Sequence, residues 1–274
     1  MGILAIQYRT LADAPILIAH NREERYGRPF SGPRIQAGRP RAVCCVDRNS
    51  GGTWIGVNQR GVFAAAINAP KRRIPYNPRS RGVLCRELLA RDSAEEALEY
   101  AERELATGNY AGVNFLCVDL QSGGVAYGGD DIGVEPLQPG LHVLTENRLD
   151  DRDDERQEYV RRLLTLHRLD SAVAFLAATS GAFARVPDAS GKRGVVVDDG
   201  DYGTVCSLLL SLSERSQKSM MQFSNGSPNV TPYDDVSALL RQVLSTDRAT
   251  QKKGRVKRVS ELSLETLESS DSGG

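Results

Sequence analysis

The residues best suited to chemistry stand together near the start of the chain. Asn21-Arg22-Glu23-Glu24-Arg25-Tyr26-Gly27-Arg28-Pro29 follows directly on the apolar run Pro15-Ile16-Leu17-Ile18-Ala19-His20. Arginine guanidinium groups pair with carboxylates and phosphates, and carboxylates orient amines or arginines. A charged cluster at the end of a buried strand sits on a rigid support, the kind of place where ligand sites are built. The same cluster also satisfies the description of a solvated charged turn, so by itself it defines no function. A second informative stretch, Gly51-Gly52-Thr53-Trp54-Ile55-Gly56-Val57-Asn58, runs through Gly61 to Asn68.

No nucleophile or metal site emerges beside these clusters. Cys44, Cys45, Cys85, Cys117 and Cys206 lie mostly in apolar stretches, with neither CxxC pairs nor zinc spacing. Reduced, buried thiols in a cytoplasmic protein are the expectation. His20 and His142 fall on predicted strands and His167 on a predicted helix, none of them beside a cysteine. Ser50 and Thr53 flank Gly51-Gly52 and read as turn residues. The catalytic set is therefore unassigned.

The elements that must position these residues follow from periodicity and punctuation. Strands are expected over 2–9, 15–21 and 42–47, with a loop from Arg28 to Arg41. Alternation along a strand puts Cys44 and Cys45 on opposite faces. A hairpin turns at Asn58-Gln59-Arg60-Gly61. Ala69 to Arg81 is a basic, proline-containing loop, and a helix follows from Ser80 to Ala90. Ser93-Ala94-Glu95-Glu96 is a capping box that opens a second helix to about Ala106. A hairpin over 112–127, a strand over 141–147, helices over 151–167 and 170–179, a strand over 202–212 and a final helix over 232–244 complete the pattern. Hairpins first, with helices inserted in pairs, argue for α+β layering over an alternating parallel order.

The chain has 274 residues, 40% hydrophobic and 26% charged, with 35 basic and 35 acidic side chains. That balance predicts a soluble globular protein without a whole-molecule field for nucleic acid or anionic membrane. The N-terminus lacks a signal-peptide pattern, and no apolar run has the length of a membrane span. One domain is expected over residues 1–244. The Ser-, Lys- and Glu-rich residues 245–274, including Lys252-Lys253-Gly254-Arg255-Val256-Lys257-Arg258, read as a disordered tail.

Asn21-Arg22-Glu23-Glu24 with Arg28-Pro29, then Gly51-Gly52-Thr53-Trp54-Ile55-Gly56-Val57-Asn58 with Gly61, resembles the NRDE family, that of the transport and Golgi organization protein and its bacterial relatives. Ser80-Arg81-Gly82, Tyr110-Ala111-Gly112-Val113-Asn114, Pro139 to Thr145 and Tyr202-Gly203-Thr204 keep the family order across residues 1 to about 212. The resemblance implies an N-terminal-nucleophile hydrolase-like fold, a four-layer αββα sandwich of two antiparallel sheets. In enzymes of that fold a leading Cys, Ser or Thr attacks an amide or ester carbonyl, its own α-amine serving as base.

Two departures bear on that chemistry. Gly2 stands where family members commonly carry Cys, and Glu23 where they carry Asp, one methylene shorter. The resemblance therefore implies a pocket formed by Asn21, Arg22, Glu23, Glu24, Arg28, Thr53, Trp54 and Asn68. It would hold a small ligand, part anionic and part apolar, such as haem or an acyl-thioester or lipid-like metabolite, with no fixed cofactor. The alternatives are a hydrolase of linear amides or thioesters with a non-standard nucleophile, and an interaction protein with a degenerate pocket.

Overall fold

The computed structural model describes residues 2–191 and 193–245. Its first sheet contains β1 (Gly2–Tyr8), β2 (Ile16–Arg25), β10 (Gly140–Leu144), β11 (Asp198–Asp199), β12 (Tyr202–Leu212), β13 (Met220–Ser224) and β14 (Asp234–Asp235). These run in the order β10-β1-β2-β12-β13-β14, with β11 beside β12. The second sheet contains β3 (Phe30–Gln36), β4 (Ala42–Asp47), β5 (Ile55–Asn58), β6 (Phe63–Asn68), β7 (Val113–Val118), β8 (Gly123–Gly128) and β9 (Ile132–Pro136), in chain order. Neighbouring strands are antiparallel in both sheets.

The sheets stack face to face because their apolar runs have no polar side. On β1, Leu4, Ile6 and Tyr8 enter the core between the sheets, while Ile3 and Ala5 face a helical layer. On β4, Val43 and Cys45 point between the sheets and Cys44 points to the other helical layer. The two adjacent thiols thus occupy different environments, as alternation requires. Helices α1 (Arg81–Leu88) and α2 (Ala94–Ala106) cover the second sheet. Helices α3 (Glu155–Thr165) and α4 (Ala172–Phe183) cover the first. The result is the four-layer αββα sandwich, built from two antiparallel sheets.

Ser80, Ser93, Asp154 and Ser171 cap the four helices, each accepting from backbone N–H groups of the first turn. Such caps satisfy donors that have no intrahelical partner. No helix among the described residues is long and apolar enough to cross a membrane.

Several boundaries differ from the sequence expectation. Strand β2 does not stop before the charged cluster but carries it, running to Arg25. Its charged half is held by β12, which pairs Tyr202 with Arg25, Thr204 with Glu23 and Cys206 with Arg22. The expected loop after Arg28 contains β3, an edge strand kinked by an irregularity between Ser31 and Arg34. Its Gly32 and Pro33 mask the strand pattern in the sequence. Strands β9 and β13 were not foreseen. The last helix begins later than expected, over residues 237–245. The predicted tail lies outside the described residues beyond Ser245.

Candidate functional site

Because β2 remains a strand through the charged cluster, its side chains alternate between two faces. Arg22 points into the space between the sheets. Its guanidinium carbon lies 3.9 Å from the Trp54 ring centroid and 5.4 Å from that of Phe30. Those two rings meet edge to face, 5.7 Å apart. Asn21 and Glu23 point the other way. Asn21 Nδ2 donates to Phe183 O at the end of α4 (2.9 Å). Glu23 accepts from Arg156 of α3, which also donates to Val195 O.

The inward side chains line a cleft of about 330 Å³ that includes His20, Arg22, Glu24, Arg28, Asp47 and Trp54. Its opposite wall is Asn68 with the segment from Pro78 to Gly82. Asp47 organises one side: its Oδ2 accepts from Arg28 Nε at 2.6 Å and from Arg22 Nη2 at 3.4 Å. Its Oδ1 accepts from the backbone of Asn49 and Ser50, fixing the turn that leads into Gly51-Gly52. Burial pushes the Asp47 carboxyl up, but the Arg28 hydrogen bond, the Ser50 N–H and the charges of Arg28 and Arg22 leave it below its ordinary value. Glu24 adds longer pairs, 3.5 Å to each of Arg22 and Arg28.

Close backbone packing brings α1 to this wall. A Cβ on Gly52 would stand 2.2 Å from the carbonyl carbon of Gly82, so only glycine fits there. Thr53 N donates to Gly82 O at 2.8 Å across the same contact. Thr53 itself is buried, its hydroxyl spent on Ile55 O. The N-terminal turn of α1, which has no acidic residue, thereby faces the cleft beside Arg79 and Arg81. A helix N-terminus and four arginines, set against the carboxylates of Glu23, Glu24 and Asp47, leave the lining with a small excess of positive charge.

Arg22 is held only loosely by the protein's own carboxylates. It is 6% exposed, and burial lowers its pKa, with Cys206, Glu24 and Asp47 restoring only part of the loss. Its Nη1 is buried without a hydrogen-bond partner. A buried, unpartnered charged donor is costly unless something else accepts from it. His20 nearby is a neutral imidazole: burial first, then the Arg22 charge, lowers its pKa to about 3. Gly2 pairs with Arg22 across β1 and β2, and a Cβ there would lie 3.0 Å from Asn21 O and 3.4 Å from His20 Nε2. A side chain at position 2 would start against the cleft-lining histidine.

The structure thus gathers Arg22, Glu24, Arg28, Thr53, Trp54 and Asn68 around the cleft. Glu23 touches the lining, but its side chain is fully buried in the pair with Arg156, and Asn21 is turned to α4. Sequence reasoning missed Asp47, Ser80 and His20 as lining residues. Asp47 had a signal, a carboxylate placed to cap the turn before Gly51-Gly52. Arg156 had none, since its partner is 133 positions away. All five cysteines are buried and free, and burial raises each thiol's pKa. None is an activated nucleophile.

Comparison with known proteins agrees with this architecture. A Transport and Golgi organization protein 2 homolog from Bos taurus is 32% identical over 144 residues, covering 49% of this chain and 51% of that protein. The Homo sapiens homolog is 28% identical over the same length. The match thus spans about half the length of these curated relatives. Among solved structures, a Caenorhabditis elegans N-acylethanolamine-hydrolyzing acid amidase ortholog superposes with a TM-score of 0.50 at 14% identity, covering 76% of this chain and 92% of that one. A Cys-to-Ala variant of conjugated bile acid hydrolase from Clostridium perfringens gives 0.50 at 12% identity, over 87% and 93%. At such identities the likeness establishes the N-terminal-nucleophile hydrolase-like fold. The sequence model of TANGO2, Transport and Golgi organisation 2, matches residues 1–222, and the chain belongs to that family.

Proposed function

We propose that the chain binds a small ligand, anionic at one end and apolar at the other, in the cleft between its sheets. The observation that carries this reading is Arg22: buried, stacked on Trp54, and left with Nη1 unpartnered on the cleft wall. An oxyanion there would accept a charge-assisted hydrogen bond that the protein does not supply. The stacked rings offer apolar contact beside it. An acyl thioester or similar lipid-like metabolite suits these donors. Haem does not: the cleft offers guanidinium groups, and its one histidine is only 2% exposed. Five buried thiols accord with a reducing compartment, and we place the protein in the cytoplasm.

Native mass spectrometry of the purified protein, followed by calorimetry with short acyl-coenzyme A and alkyl phosphate ligands, tests the reading. Binding is expected, weakened about a hundredfold in Arg22→Met through loss of a buried charged contact. Equal affinity in the variant would refute the assignment.

A second reading, hydrolysis of linear amides or thioesters, is favoured by Gly2 abutting His20 and by two solved neighbours named as amide or conjugate hydrolases. On the binding reading, the unmodified protein does not turn over acyl amides, thioesters or p-nitrophenyl esters, whereas Gly2→Cys with Met1 removed gains activity. Turnover by the unmodified protein that vanishes in Arg22→Ala would replace the binding reading with the hydrolytic one.

A further inference from the structure

A larger concavity adjoins the cleft. It measures about 860 Å³ against about 330 Å³, and Arg28 lines both. About half of its wall is apolar, supplied by Phe30, Val186, Val196, Val197, Val205 and Val230. Two of these valines are strongly exposed, Val186 at 54% and Val230 at 77%. They come from separate loops, one between α4 and β11 and one between β13 and β14. Solvent-facing apolar side chains gathered from separate loops around one groove mark a surface suited to an apolar partner.

Continuity with the cleft decides what that partner is. Phe30 lines the groove, Trp54 lines the cleft, and the two rings meet edge to face with Arg22 stacked on both. Arg28 forms the ridge between the two spaces. Asp47 holds its Nε at 2.6 Å, leaving its side chain 37% exposed. A chain leaving the Arg22 end of the cleft meets the hydrocarbon stem of Arg28, then valines. The cleft alone lies at the small end of ligand sites, whereas together the two spaces match a ligand with a long apolar part.

We infer that the cleft and the groove form one binding channel, in which the anionic head sits at Arg22 and an unbranched apolar chain crosses Arg28 to lie against Val186 and Val230. This rests on the cleft binding an anion, as proposed above, and adds the ligand's chain and the second subsite. The test is calorimetry on the full chain with butyl, octyl and dodecyl phosphate below their micelle concentrations. Affinity should rise with length, by up to about fourfold for each methylene buried. The surface double variant Val186→Glu, Val230→Glu should bind butyl phosphate as the unmodified protein does and lose most of the gain for dodecyl phosphate. Length-independent binding, or a length dependence unchanged in the double variant, overturns the channel while leaving the anionic cleft standing. Absence of binding at every length overturns both.

Discussion

The two faces of β2 use the same kinds of residue to opposite ends. On the outer face, Glu23 and Arg156 pair with side-chain exposures of 0% and 21%, and Arg156 also reaches Val195 O. On the inner face, Arg22 and Arg28 share Asp47 and Glu24, but the Arg22 contacts are long, 3.4 Å to Asp47 and 3.5 Å to Glu24. Each face keeps one buried arginine nitrogen unpartnered, Arg22 Nη1 and Arg156 Nε. The outer pair joins the first sheet to its helical layer. The inner cluster holds Arg22 more loosely, on the wall of the cleft. Neither charge density nor a leftover donor distinguishes the two faces; how closely the protein's own carboxylate holds the arginine does.

Breaking the outer pair should have the largest effect. Glu23→Ala removes the carboxylate and strands Arg156 against the sheet, at a cost of about 3 kcal/mol, the lower end for broken buried pairs because Arg156 can partly rehydrate. Urea unfolding should show that loss, with ligand affinity of the folded fraction within a factor of about 3, given the opposite orientation of the two faces. A Glu23→Ala protein as stable as the unmodified one would erase the distinction between the faces.

The inner face should answer in the reverse sense. Arg22→Met, the variant expected to lose ligand, should change unfolding free energy by less than about 1 kcal/mol. It gives up two long contacts, 3.4 Å to Asp47 and 3.5 Å to Glu24, and with them the cost of burying an unpartnered nitrogen. Asp47 keeps Arg28 at 2.6 Å. A large destabilisation in urea would make Arg22 a structural residue like Glu23.

The contrast explains how far the sequence could be read. Apolar runs and caps placed β1, α1, α2, β7 and β12 closely, because burial and capping leave local patterns. The ordered motifs from Asn21 to Thr204 carried the family and therefore the sandwich. What escaped depends on contacts across distance. No local signal says that β12 holds β2 extended as far as Arg25, so Asn21 to Glu24 read as one cluster where the fold divides it between two faces. Gly51-Gly52 and Ser80-Arg81-Gly82 read as separate motifs. Only their backbone contact shows that they put a helix end against the cleft.

The same contrast recurs, with a smaller effect, in the two histidines on the strands flanking β1. His20 on β2 is neutral, its pKa lowered to about 3 by burial and then by Arg22. His142 on β10 has both ring nitrogens on acceptors, Nδ1 at 2.6 Å from Asp150 Oδ2 and Nε2 at 2.8 Å from Gln138 O. Only an imidazolium donates to both. Burial lowers the His142 pKa, but the Asp150 hydrogen bond, the Gln138 carbonyl and the Asp150 charge outweigh it against the Arg161 charge, and the net shift is upward. Asp150, for its part, is held down to about 2: burial raises it, and His142, Val143 N–H and Arg161 more than compensate. A histidine whose folded pKa is raised contributes stability that is complete below its unfolded value of about 6.5. That contribution is lost as pH climbs through the folded value, whereas the Asp150 part persists until pH falls toward 2. The loss on the alkaline side should be about 1 kcal/mol after solvent screening. Urea unfolding of the unmodified protein and of His142→Gln, from pH 5.5 to 8.5, reads it: the gap between them should narrow as pH rises. A gap independent of pH would mean that His142 is neutral in the fold, like His20, and that β10 is not pinned by a cation.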